Sequence, residues 1–196
     1  MPRNLRITLA ILGVAVLIGL ISLRGLHKRM EKLAEEPASE ERARRELREP
    51  AISSPTDVTA NAKIYWAAGP DRVAAVEVEL PLSPDPVQRA KQVIHELIDD
   101  PPTAQQRTLP PDAAVLSFYI LADGTAIADF SDELASETPS GILSERLAVD
   151  SIARTLEANV SGLRRLKILI HGQEAETLAG HLDLTGFFDL QSSAAR

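Results

Sequence analysis

Four histidines, at positions 27, 95, 171 and 181, are the side chains best suited to metal ligation or proton transfer in a chain that has no cysteine. Without cysteine there is no thiolate nucleophile, no thiolate metal site, no disulfide and no lipid attached through an N-terminal cysteine. His95 lies between Ile94 and Glu96 in a helical pattern, which places it at a solvent edge. His171, His181 and Asp183 make a metal site only if two strands converge, and no local ligand spacing joins them. Asp129, Asp132 and Glu133 follow an expected strand. Paired carboxylates can work as acid and base, but Asp is also an ordinary residue where a strand leaves a sheet. Ser151 and Thr155 lie four apart on an expected helix, where hydroxyls bond the backbone or a neighbouring strand. Tyr65 and Trp66 offer either a sugar-stacking surface for peptidoglycan or core packing, in a chain with one Trp, two Tyr and four Phe. There is no G-x-S-x-G and no phosphate-binding glycine loop. The turn, cap and packing readings are preferred throughout, so the expectation is a non-enzymatic protein with no catalytic, cofactor-binding or metal residue.

Charge narrows the partners. The 196-residue chain has a net charge of −7, unevenly spread: residues 1–60 carry ten Lys/Arg and eight Asp/Glu, and residues 61–196 carry eleven and twenty. An acidic folded part repels phosphate, which argues against nucleic acid as a partner.

The elements that must position these residues begin after residue 60. Ile7–Leu23 is an uninterrupted apolar run, which at 1.5 Å per helical residue reaches about 26 Å. Arg3 and Arg6 precede it, and Arg24, Lys28 and Arg29 follow. No small-residue cleavage site follows the run, so residues 1–25 read as an uncleaved signal anchor, with His27 next to the membrane. Counted alone, the more basic C-terminal flank favours a cytoplasmic domain. Residues 26–60 read as a charged stalk and linker. Leu26, Met30 and Leu33 give too narrow a stripe for a stable coiled coil, and residues 49–61 are rich in Pro, Ser and Thr.

Residues 62–67 and 73–80 read as strands, the second with Glu77 and Glu79 on its solvent face. Pro81–Pro86 ends that strand. Asp85 and Pro86 open an amphipathic helix over 87–98, which Asp99-Asp100-Pro101-Pro102 closes. Val115–Leu121 and Thr125–Phe130 form a hairpin. A two-residue turn at Asp123-Gly124 sets Ile120 opposite Ile127, on the same face as Phe118. Ser140 is a candidate cap for a helix over 142–158, with Asn159 at its close. Residues 166–170 are a buried strand, 180–184 a final short edge strand and 191–196 a frayed tail.

In this order the segments resemble the GerMN domain of bacterial sporulation and spore-germination proteins. The matching residues are Ile64-Tyr65-Trp66, Glu96-Leu97-Ile98, Leu109-Pro110-Pro111-Asp112, Asp123-Gly124, Asp129-Phe130-Ser131, Ser151–Leu156 and Ile168–Gly172. Together they span about residues 61–186. The resemblance implies an α+β fold like the ring-building motif of secretion-system rings, with two helices on one face of a small mixed sheet. This domain, 61–190, is preceded here by the transmembrane helix. It also implies a bacterial cytoplasmic-membrane protein with its domain outside, against the local charge count. The implied role is assembly with other envelope proteins or with itself, or, as the alternative, binding to peptidoglycan. The best-known relative has two such domains; this chain has room for one, so a sporulation role does not follow automatically.

Overall fold

The computed structural model describes residues 57–190; the anchor, the stalk up to residue 56, His27 and the tail from 191 lie outside the described residues. Strand β1 (Val58–Ala67) opens three residues inside the expected linker and pairs antiparallel with β2 (Val73–Leu82). Pro81 does not end β2. It sits opposite Thr59 on an outer strand, where its missing N–H deprives no neighbour. Ala62, Ile64 and Trp66 of β1 are buried while Lys63 faces solvent, the alternation of a strand with one covered face.

Helix α1 (Pro86–Asp99) begins as the sequence predicts: the Asp85 carboxylate accepts the Gln88 N–H at 2.8 Å, and Pro86 fills the first position. Its apolar stripe, Ala90, Val93, Ile94, Leu97 and Ile98, is buried. A 3₁₀ turn (Ala104–Gln106) leads to β3 (Val115–Ile120) and β4 (Thr125–Phe130). A one-turn helix, α2 (Glu133–Ser136), and the long α3 (Ile142–Asn159) follow, then β5 (Arg165–Ile170) and β6 (Phe188–Asp189).

The expected single sheet is in fact two. β1 and β2 stand apart from a four-stranded sheet of order β3-β4-β5-β6, antiparallel except for the parallel β4-β5 pair. The outer edge of β1 is occupied by α3: Asn159 Oδ1 accepts the Lys63 N–H at 3.0 Å, its amide donates to the Lys63 carbonyl at 2.8 Å, and Thr155 Oγ1 accepts the Tyr65 N–H at 3.0 Å. Side chains thus do there what another strand would do. One continuous core joins β1, both long helices and the inner face of the larger sheet, through residues such as Ile94, Phe118, Phe130, Ile152, Leu156 and Ile168.

The β3-β4 turn also differs from expectation. A two-residue turn needs positive φ at both Asp123 and Gly124, and only Gly124 has it, at +83°. The Asp123 carboxylate instead accepts the Thr125 N–H at 2.9 Å, and Leu121 pairs with Thr125, leaving a three-residue loop. The register moves by one residue, so Ile120 faces Ala126 and Tyr119 faces Ile127. Ile127 therefore lies on the opposite face from Phe118.

The expected strand over 180–184 is absent. Its residues form a tight loop, with Leu178 N–H bonded to the Leu182 carbonyl and a single bridge between Thr177 and Asp183. The strand that closes the sheet is β6, which pairs with Arg165 and Leu166.

Candidate functional site

The side chains with chemical potential are spread out, and most are spent on the backbone. His171 is the one non-glycine residue at positive φ among those described, at +51°, and its Nδ1 lies 3.3 Å from Asp132. His181 is elsewhere, with its Nδ1 2.9 Å from Glu145. Asp183 accepts the Thr185 N–H at 2.7 Å and its hydroxyl at 2.6 Å, bonds that hold its carboxyl below the ordinary range. The three do not converge, and among the described residues no group of three or more His, Asp or Glu is placed to hold a metal ion.

The carboxylates after β4 divide in the same way. Asp129, nearly buried, accepts the Gly172 N–H at 2.7 Å and so ties β4 to the turn after β5. Asp132 and Glu133 open α2. Ser151 donates to the Ala148 carbonyl at 2.8 Å, and Thr155 serves β1, as the sequence indicates. His95 pairs with Asp99 at 3.1 Å on the outer side of α1. Ser140 does not cap α3: Gly141 does, and the Ser140 hydroxyl donates to the Ala179 carbonyl at 3.1 Å. Asn159 closes α3 as its last residue, and its amide donates both to the Thr155 carbonyl in the final turn at 2.7 Å and to the Lys63 carbonyl of β1 at 2.8 Å.

Trp66 corrects the glycan reading. It is 1% exposed, and its indole N–H donates to the Leu97 carbonyl at 3.0 Å. A ring held this way between strand and helix cannot stack on a sugar. The neighbouring Tyr65 is half-buried.

Two buried charges escaped the sequence reading. Glu145 has no exposed surface. Its carboxylate accepts N–H groups from Gly141 (3.1 Å), Ala179 (3.1 Å), His181 (3.0 Å) and Leu182 (2.7 Å). Burial pushes this carboxyl up, but the N–H groups of Leu182, Gly141, Ala179 and His181 outweigh it and hold it down at about 2. Lys167, 5% exposed, donates to the carbonyls of Leu184 (3.2 Å) and Thr185 (2.6 Å) and lies 3.4 Å from Glu174. Arg165 and Lys167 both approach the Phe187 ring, at 4.6 and 5.9 Å from its centre. The signal for Glu145 was present: it falls at i with Ala148, Val149 and Ile152 at i+3, i+4 and i+7, a charge inside an apolar stripe.

What faces outward is apolar in places. Tyr119 and Leu121 are 57% and 47% exposed at the outer side of the larger sheet, and Ile142 and Leu143 are about half exposed where α3 begins. No described helix is long and apolar enough to cross a membrane, and the run at 7–23 lies outside the described residues.

Comparison with known proteins accords with this architecture. No curated protein matches the chain in sequence. The tandem GerMN domains of the sporulation protein GerM from Bacillus subtilis share 28% identity at a TM-score of 0.54, over 67% of this chain and 46% of that one, so the chain spans about half of the tandem pair. The first GerMN domain of the same protein shares 28% identity at a TM-score of 0.52, over 67% of this chain and 96% of the domain. The sequence profile of the Germane family, described as sporulation and spore germination, matches residues 63–176, more than half of the chain, and this chain is a member of that family.

Proposed function

We propose that this protein is a non-enzymatic assembly component of the bacterial cell envelope. Residues 1–25 anchor it in the cytoplasmic membrane with a single pass, residues 26–60 form a charged stalk, and the GerMN domain stands outside and binds other envelope proteins. Sporulation or germination, the process named for the family, is the setting. The carrying observation is a division of labour among side chains. Glu145, Thr155, Asn159, Lys167 and Asp129 are committed to the backbone, while Tyr119, Ile142 and Leu143 stand in water on regular elements, with Leu121 just past the end of β3. Neighbouring exposed apolar side chains on a rigid element fit a protein partner better than a small polar substrate. Peptidoglycan binding through Trp66 is not proposed, because the ring is buried.

A photo-crosslinking residue placed at Tyr119 or Leu143 in living cells tests this. The expected result is an adduct with an envelope protein that weakens when Leu121 or Ile142 is changed to Asp. Protease added to spheroplasts should digest the domain. Absence of adducts at both positions would reject the assembly role, and a protected domain would reject the orientation.

A further inference from the structure

The two edges of the β1-β2 ribbon differ. α3 side chains take the Lys63 and Tyr65 N–H groups, so these odd-numbered residues of β1 point away from β2. Lys63 lies opposite Glu77, Tyr65 opposite Ala75 and Asn61 opposite Glu79. In an antiparallel pair the residues of such a couple both turn their backbone groups outward, so the N–H and C=O groups of Ala75, Glu77 and Glu79 line the free edge of β2. Among the described residues β2 pairs with β1 alone. Pro81, which has no N–H to give, ends this edge.

We propose that the free edge of β2 binds an extended basic segment of an envelope partner, with Lys or Arg at alternate positions and apolar residues between them, as an added strand. This interface rests on the assembly reading above and names the chemistry of the partner.

Each face of the strand specifies half of that pattern. Glu77 and Glu79 are exposed on the outer face, and neither has an ion-pair or hydrogen-bond partner among the described residues. Lys63, opposite Glu77, is the one cation on the outer face of the ribbon, which is therefore net negative. Basic residues of an added strand would stand across from the two glutamates. On the other face Val76, Val78 and Leu80 pack against the core but are only half-buried. Charged residues can also serve merely to keep strands off an edge, but that role gives no use to an apolar row left half open, which the alternate side chains of an added strand would cover. A second copy of the chain does not fit. Self-pairing centred on Val78 sets Glu77 against Glu79 of the other copy, and centring on Glu77 sets that residue against itself.

The test uses the full chain, purified in an uncharged detergent, and a labelled short peptide alternating Lys and Val. Fluorescence anisotropy should show binding that is at least about tenfold weaker for a peptide of the same composition with its Lys and Val in separate blocks, and for Glu77→Lys/Glu79→Lys protein. That variant should keep the circular dichroism spectrum and gain binding to a peptide alternating Glu and Val. In hydrogen exchange the peptide should protect the Ala75, Glu77 and Glu79 amides and leave those of Val76 and Val78, which face β1, little changed. In cells, a photo-crosslinking residue at Ala75 should give an adduct with an envelope protein that the double variant loses. Equal binding of the block peptide, binding that survives charge reversal, unprotected edge amides, or an Ala75 adduct with a second copy of the chain would each overturn the proposal. If Ala75 gives no adduct while those at Tyr119 or Leu143 persist, this edge is not the interface and envelope assembly stands. If all are absent, both readings fail.

Discussion

Glu145 is the residue on which the C-terminal part of the domain turns. A carboxylate without solvent exposure needs donors for its lone pairs, and four backbone N–H groups supply them, with the His181 ring at 2.9 Å from Oε1. Glu145→Gln keeps the shape and puts an amide NH₂ where an acceptor is required, against N–H groups that then lose their partner. The expected cost is about 2–4 kcal/mol in denaturant unfolding, since a buried network loses its charge and several bonds at once. The pH dependence has a defined sign. The folded-state carboxyl sits at about 2, below its ordinary 4.5. Its contribution is therefore full above about pH 4.5 and fades as pH falls toward about 2. Unfolding midpoints measured between pH 6 and pH 2.5 should fall for the wild type and fall less for Glu145→Gln. Equal slopes would show that other carboxylates govern acid stability.

Among the elements, the β3-β4 hairpin shows how far local sequence reached. Asp123-Gly124 marked the turn, but not whether one or two residues would take positive φ, and the register follows from that choice. The helices were legible because their signals are local: a cap at Asp85, apolar residues three and four apart, and Asp99-Asp100 before two prolines. The separation of β1 and β2 into their own sheet was not, because Asn159 and Thr155 reach β1 from some ninety residues away. The hairpin makes its own prediction. A Cβ on Gly124 would stand 2.7 Å from the Gly162 carbonyl oxygen, a backbone atom that cannot swing aside. Gly162 has a similar φ, +85°, with nothing within 4 Å of its Cβ position. Gly162→Ala should therefore cost only the left-handed strain, about 1–2 kcal/mol. Gly124→Ala should cost clearly more, since the strand ends must also part. Equal losses in thermal unfolding would mean that the turn yields more readily than the contact implies.

Across the domain as a whole, residues 173–187 are held differently from the rest. They contain no helix and no strand, only isolated bridges, yet Leu178 and Leu184 within them are buried. Two charges of opposite sign hold this segment at different places: Glu145 of α3 gathers the N–H groups of Ala179, His181 and Leu182, and Lys167 of β5 gathers the carbonyls of Leu184 and Thr185. Such a segment leaves no periodic trace, because its backbone is satisfied by side chains set far off in the chain. That is why a strand was expected at 180–184 and β6 was not foreseen. An element held by two ionic posts should open without the sheet beneath it. Lys167→Met keeps the apolar stem and removes both carbonyl bonds and the cation over Phe187. In native-state hydrogen exchange, the Leu178 and Leu184 amides, bonded to the Leu182 and Glu176 carbonyls, should lose protection. The Ala128 and Ile168 amides in the paired centre of the sheet should keep theirs. A uniform loss across both groups would show instead that the segment and the sheet unfold as one unit, with Lys167 part of the common core.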